Sequence, residues 1–439
     1  MSEYADIQID RLSLYWFRNY LDSDIVGILF SEKDYTEIPN YIVDPDDDEC
    51  EPITKYEYVT TVQKAKERLD ALGYGLAKME SVFNERVHDV IDYDPFLSHL
   101  NVNFDDREEK ARERIDKYIT FTKWTNSIKK IIKYELTNGN LDEFQKNTQL
   151  QLSTESDKVI YYALTNRDRE SYYALDTNIM PIGFIFRLLL ECCDRNQIIT
   201  LDFTNLVYWD EDCISRALDA TKQIEKTIVL VEGTSDKDML EFAIKMLYPH
   251  LSDLYYFMDF SDGHGNKRSG GASELSKCME MFYYSKLKAK FIAVFDNDAE
   301  GYLNMTRLQK RVNRWPDNFR IMCYPQLKEF ASYPTLAPNG KIMNDNINKK
   351  ACSIELYLPD YIISEEDDFY PIEWEARKKI EISEGQAEFL YQGVISNKET
   401  IKDRFHELRK KTEAGNSKFV AEEWHKMCYV LKDIIFAFT

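Results

Sequence analysis

From Thr227 onward the chain alternates short, continuous apolar runs with stretches of helical period. In order these are TIVLV, DKDMLEFAIKMLYPHL, DLYYFMDF, ASELSKCMEMFYYSKLK, FIAVF, LNMTRLQKRVN and FRIMCYP. An apolar run with no polar face must be covered on both sides. Strands of that kind separated by helices are the pattern of a parallel sheet sandwiched between helices. The expectation is an α/β block over residues 224–365.

The residues before it read differently. YADIQIDRLSLYWF alternates apolar and polar positions as a half-buried strand does, and IVGILF (25–30) is a candidate partner strand. Residues 60–91 and 107–136 carry helical spacing, the second ending at NGN (138–140). IMPIGFIFRLLLECC (179–193) reads as a buried helix and DEDCISRALDATKQIEK (210–226) as an amphipathic one. Residues 1–223 are therefore expected to form a mostly helical α+β domain. Residues 366–439, with EWEARKKIEI and EEWHKMCYVLKDIIFAF, are expected to be helical.

The chemistry sits where the apolar runs stop. KTIVLVEGTSDKDML (226–240) places Glu232 directly after a strand, and FIAVFDNDAEG (291–301) places Asp296 and Asp298 after another. In open α/β sheets ligands bind beyond the carboxyl ends of the strands. In extended chain, positions i and i+2 share a side, so Asp296 and Asp298 can face one point. Three converging carboxylates repel one another, and a hard divalent cation with oxygen ligands removes that cost. Such a cation suits phosphoryl chemistry. Taken singly, each motif is equally an ordinary turn with a capped helix. It is the pairing of the two, each after a strand in the same α/β block, that points to a metal site.

VLVEGTSDKDML and AVFDNDAEG resemble the two motifs of the Toprim domain, shared by topoisomerases, bacterial primases and nucleases of the overcoming-lysogenization-defect type. The resemblance implies that Glu232 is a metal ligand or general acid/base and that Asp296 and Asp298 bind metal. The EGTSD form is similar to the nuclease branch and implies a further ligand in Asp236. CSIELYLPDYI (352–362) resembles the Glu-containing helix start of those nucleases, which implies Glu355 as a second-metal ligand; an ordinary amphipathic turn fits it as well. The implied cofactor is Mg²⁺ or Mn²⁺, with catalysis resting on Glu232, Asp296 and Asp298. The opening YADIQIDRLSLYWFRN and the helical region after it resemble the N-terminal domain associated with Toprim and HEPN proteins of prokaryotic anti-phage defence.

Several partners of such proteins are missing as motifs. None of the six histidines has an Arg at the spacing of a HEPN ribonuclease, and no phosphate-loop G-x-x-x-x-G-K-[ST] occurs, so an ATPase or sensor would be a separate protein. The eight cysteines contain no C-x-x-C pair, against zinc, and with it against a primase. A topoisomerase needs a DNA-gate domain with a catalytic Tyr, and none is recognisable. The glycine-rich loop SDGHGNKRSGGASE (261–274) offers Lys267 and Arg268 as weak phosphate contacts and His264 as an outside candidate; a flexible loop with a Ser273 cap is the plainer reading.

Lys and Arg total 56 against 77 Asp and Glu, a formal net charge of −21. That acidity counts against a nucleic-acid surface unless the acids cluster elsewhere, as they do in DPDDDECE (44–51) and SEEDD (364–368). No apolar run reaches the roughly 18 residues of a membrane helix, and MSEYADIQID is not a signal peptide, so the expectation is a cytoplasmic chain with no membrane partner. Two functions remain in view. One is a metal-dependent Toprim endonuclease acting on DNA or a tRNA-like RNA in defence, as a single chain or a homo-oligomer. The other is a regulatory subunit of a defence complex that binds metal or nucleotide without cutting.

Overall fold

The computed structural model describes residues 4–10, 12–43, 51–87, 109, 113, 116–117, 120–138, 180–260, 270–366, 368–383 and 386–439. The chain divides into two compact units, Met1–Ile224 with Thr439, and Glu225–Phe438. Among the described residues no helix is long and apolar enough to cross a membrane.

The first unit is built on an antiparallel sheet of β1 (Tyr4–Ile9), β2 (Leu12–Arg18), β3 (Tyr35–Tyr41), β4 (Ile53–Thr61) and β5 (Ile198–Asp202), in the order β2-β1-β5-β4-β3. Helices α1 (Ser23–Leu29), α2 (Val62–Leu72), α3 (Leu76–Arg86), α4 (Phe121–Asn138), α5 (Ile182–Leu190), α6 (Thr204–Trp209) and α7 (Asp212–Lys222) accompany it. Alternate strand residues, Ile7 and Ile9 of β1, Tyr58 of β4, Ile199 and Leu201 of β5, share one core with the helices. Buried Arg68 donates to the Gly27 carbonyl at 3.0 Å, and the Tyr58 hydroxyl donates to that of Ala217 at 2.9 Å. IVGILF is a helix, not the partner strand expected. A short run that is apolar throughout has no period to distinguish the two, and Asp22 caps it by accepting from Asp24 N–H at 2.9 Å. Gly27 lets α1 approach α7, because a Cβ there would lie 2.9 Å from the Ala220 carbonyl oxygen. The strand pairing to β1 is made instead by β2 and β5.

The second unit holds a parallel four-stranded sheet flanked by helices. Its strands are β6 (Thr227–Leu230), β7 (Tyr255–Met258), β8 (Phe291–Phe295) and β10 (Phe319–Cys323), in the order β10-β8-β6-β7. Helices α8 (Thr234–Leu247), α9 (Ala272–Tyr284) and α10 (Ala299–Arg311) connect them. Every residue of β8 is buried, as its unbroken apolar run requires. Leu275 and Met279 of α9 and Leu308 of α10 pack on one sheet face with Phe291, Ala293 and Phe295. α8 packs on β7 and, through Phe242, on Trp424, with ring centroids 5.6 Å apart. Because β6 leads to β7 on one side while β8 lies on the other, the strand order reverses at β6. A crevice is expected at the carboxyl ends of such neighbouring strands.

β9 (Asn297–Asp298) leaves the parallel sheet and pairs with β13 (Ala351–Cys352). β11 (Tyr333–Leu336), β12 (Ile342–Asp345), β16 (Ile372–Ser383) and β17 (Gln386–Ile395) form another sheet, and β14 (Ser364–Glu365) pairs with β15 (Asp368–Phe369). Helices α11 (Lys398–Glu413) and α12 (His425–Ile435) follow. The expectation of a wholly helical 366–439 is therefore corrected: EWEARKKIEI is the strand β16, register-paired along β17. Its Glu, Lys and Arg residues have good helix propensity, but cross-strand pairing overrides it.

Candidate functional site

Four carboxylates line one cleft of about 250 Å³ at the carboxyl ends of β6 and β8. Glu232 and Asp296 reach it from just beyond their strands, Asp236 from the first turn of α8, and Glu355 from the 3-10 turn Ile354–Tyr357. Gly233, Thr234 and Ser235 bring the N-terminal turn of α8 to the same wall, and Lys398 and Lys402 of α11 close the other side.

Each acid is held differently. Glu232 Oε1 accepts from the Asp296 N–H at 2.9 Å, which ties the two strand ends together. Asp236, 7% exposed, accepts from the Tyr324 hydroxyl at 2.7 Å on Oδ1. Glu355, 1% exposed, accepts from the Ser353 hydroxyl at 2.7 Å on Oε2, and its Oε1 lies 3.1 Å from the Lys398 ammonium. Asp296 Oδ1 is buried with no hydrogen-bond partner.

Asp298 is not among the residues that line the cleft, although its charge acts on Glu232 and Asp296. The chain turns into β9 after Asp296, and Asp298 pairs there with Ala351. Asp298 is instead the N-cap of α10. Its Oδ1 accepts from Gly301 N–H at 2.7 Å, and its Oδ2 accepts from the Gln392 amide. Asn297 between them is buried, with its Oδ1 accepting from Lys349 N–H at 2.9 Å. Lys267, Arg268 and His264 lie outside the described residues. Gly271, just after them, donates its N–H to the Glu232 carbonyl at 2.9 Å.

Burial and mutual repulsion push Glu232, Asp236 and Asp296 toward their protonated forms. Burial, then the Asp298 charge, raises Glu232 to about 8. Burial raises Asp236 to about 6, with Glu355 adding to it while the Tyr324 bond and Lys398 oppose. Asp296 is raised well above the usual carboxylate range by burial and by Asp236 and Glu232. Lys398 is held above its ordinary value: burial works against its charge, but Glu355, Asp296 and Asp236 outweigh it.

The donor set is all carboxylate oxygen, which fits a hard divalent cation, and the orphaned Asp296 Oδ1 is an acceptor that such an ion would satisfy. The oxygens face one cleft without closing on one point: among the described residues no three His, Cys, Asp or Glu side chains are gathered closely enough to hold a metal. Lys398 supplies the cation in this arrangement. Neither Lys398 nor Tyr324 carries a local signal in the sequence. NKETIK reads as a plain helix start, and Tyr324 as the end of an apolar strand.

No curated protein and no solved structure matches this chain. A family model described as HEPN/Toprim N-terminal domain 1 matches residues 1–222, half of the chain, and the chain belongs to that family.

Proposed function

We propose that the chain is a metal-dependent nuclease of Toprim type that hydrolyses phosphodiester bonds of DNA or RNA in anti-phage defence. In this reading residues 224–365 form the catalytic domain, Mg²⁺ or Mn²⁺ is the cofactor, and nucleic acid is the substrate. The observation that carries it is the single cleft in which Glu232, Asp236, Asp296 and Glu355 meet the N-terminal turn of α8 and Lys398. Membership of a HEPN/Toprim family is consistent with a nuclease-related or defence role.

A cation bound by Asp296, Asp236 and Glu355, with Glu232, would supply Lewis-acid charge to a phosphoryl oxygen. The chain's own residues do the rest. The α8 N–H groups at Gly233–Ser235 have no side-chain cap and turn the positive end of the helix toward the cleft, a setting for a phosphate oxygen. Glu232 Oε1 is occupied by the Asp296 N–H, which leaves Oε2, in the ionised form that a cation in the cleft would favour, to take a proton from the attacking water. Lys398 adds positive charge where the phosphoryl oxygens gain negative charge. Asp298 fixes the start of α10 and raises Glu232, acting through position and field.

The test is cleavage of plasmid DNA and of total tRNA by the purified chain with Mg²⁺ or Mn²⁺, beside Glu232→Ala and Asp296→Ala. Loss of one cleavage activity in both variants supports the reading and identifies the substrate. Cleavage unaffected by either variant sinks it.

A second reading has its own support, because the carboxylates are not gathered into a ligand shell and Lys398 already balances Glu355. In it the chain is a metal- or nucleotide-binding regulatory subunit. Defence that persists in both variants, with no cleavage by any form, selects it.

A further inference from the structure

The parallel sheet has a second groove at its other end. α9 finishes at Tyr284, and the chain turns through residues 285–290 into the start of β8, beside the start of β10. Tyr283, Tyr284, Lys286, Lys288, Asn318 and Phe319 line a groove of about 570 Å³ there. Glu232 and Asp296 follow the opposite ends of these strands, so the groove is separate from the cleft.

Three features of the groove belong together. The Tyr284 side chain is 73% exposed, with its ring edge-on to Tyr283 at 5.2 Å, and Tyr283 is itself seated on Trp315 at 5.2 Å. An aromatic face is thus presented to solvent from a packed base. Lys286 and Lys288 are both exposed, and among the described residues no carboxylate pairs with either, in a chain of net charge −21. No Asp or Glu is among the described residues that line the groove, so its two lysines are its only charged lining. Lastly, Lys286 closes α9 in the left-handed conformation, φ 53, donating its N–H to the Tyr283 carbonyl at 3.0 Å. Glycine takes that position at least cost, so the lysine side chain is carried there against a backbone preference. The turn is braced by the Asn318 amide, which donates to the Leu287 and Ala289 carbonyls at 3.0 and 2.8 Å.

We propose that this groove binds a single strand of nucleic acid, with one unpaired base stacked on Tyr284 and the flanking phosphates on Lys286 and Lys288. A free aromatic face beside unpaired lysines is the pairing by which proteins hold single strands without reading sequence. Duplex bases are stacked on one another and offer Tyr284 no face. The inference goes beyond the nuclease reading and does not need the cleft to cut.

The test is fluorescence anisotropy of the full chain in EDTA with a labelled oligothymidylate about twenty nucleotides long, between about 50 and 200 mM salt. Tyr284→Ala is expected to weaken binding at least about fivefold. Lys286→Gly with Lys288→Ala, in which glycine suits the left-handed position, is expected to lower the salt slope by about 1.4, or about 0.7 for each phosphate contact. Groove-dependent binding in a chain that cleaves nothing upholds this inference while the nuclease reading fails. Equal binding by all forms, no binding by wild type at the lowest salt, or groove-dependent self-association without strand binding overturns it.

Discussion

The Tyr324 hydroxyl donates to Asp236 Oδ1 at 2.7 Å, and the Tyr324 N–H donates to the Phe295 carbonyl at 2.9 Å. One residue thus joins the first turn of α8 to the end of β8, just before Asp296. The bond favours ionised Asp236 against the burial that raises it to about 6. Tyr324→Phe is expected to cost about 1–2 kcal/mol in urea unfolding and to raise Asp236 further. Cation affinity, followed by titration calorimetry, should fall as well. Unchanged stability and affinity would show the contact to be incidental.

Gly301 is a packing requirement of the same site. A Cβ there would lie 2.3 Å from the Asp296 carbonyl oxygen, and backbone cannot swing aside as a side-chain tip can. Gly301→Ala is expected to cost about 1–3 kcal/mol and to displace Asp296. A melting temperature equal to wild type would refute the close approach.

Stability should depend on pH through Glu232. Its ordinary value is 4.5 and burial with Asp298 raises it to about 8, so between those values the folded chain holds a proton that the unfolded chain releases. Stability from this group is therefore present below pH 4.5 and is lost as pH rises toward 8, by about 1.4 kcal/mol for each unit of separation. In cation-free buffer the gap between Glu232→Gln and wild type should widen in favour of the variant from pH 5 to pH 8. Mg²⁺ should stabilise wild type more at pH 8 than at pH 5. Parallel pH curves for the two proteins would remove the argument.

Much of the cleft was legible because its positions are local to strand ends. FIAVF and TIVLV have no polar face, so they had to be buried strands, and the carboxylate after each had to stand at a sheet edge. Asp236 comes with Glu232 because a helix start follows within one turn. The sheet pairing that holds Asp298 was not legible. β9 pairs with β13, whose residues lie more than fifty positions downstream, and no local pattern announces it. The cap in DNDAEG was visible as a turn with a capped helix, and Asp298 fills that role through Gly301. The C-terminal hairpin was hidden because its charged residues favour helix in isolation. Lys398 was hidden with it, since only the hairpin and the turn at Asn397, φ 56, return the chain to the cleft.

Lys398 is where the two functional readings part. Its ammonium lies 3.1 Å from a Glu355 oxygen, and Glu355 is 1% exposed while the Lys398 side chain is 36% exposed. Removing the amine strands a buried carboxylate, a loss that reaches 3–5 kcal/mol for a fully buried pair and is smaller where water reaches one partner. Lys398→Met is therefore expected to cost about 1–3 kcal/mol in cation-free buffer. Glu355→Gln removes the stranded charge, so the double variant should recover most of that loss, a coupling that a double-mutant cycle measures. A divalent cation beside Glu355 replaces the missing positive charge, so Mg²⁺ should stabilise Lys398→Met more than wild type. If Mg²⁺ leaves that gap unchanged while the cycle shows strong coupling, Lys398 and Glu355 form a structural pair, and the cleft does not take a cation at Glu355.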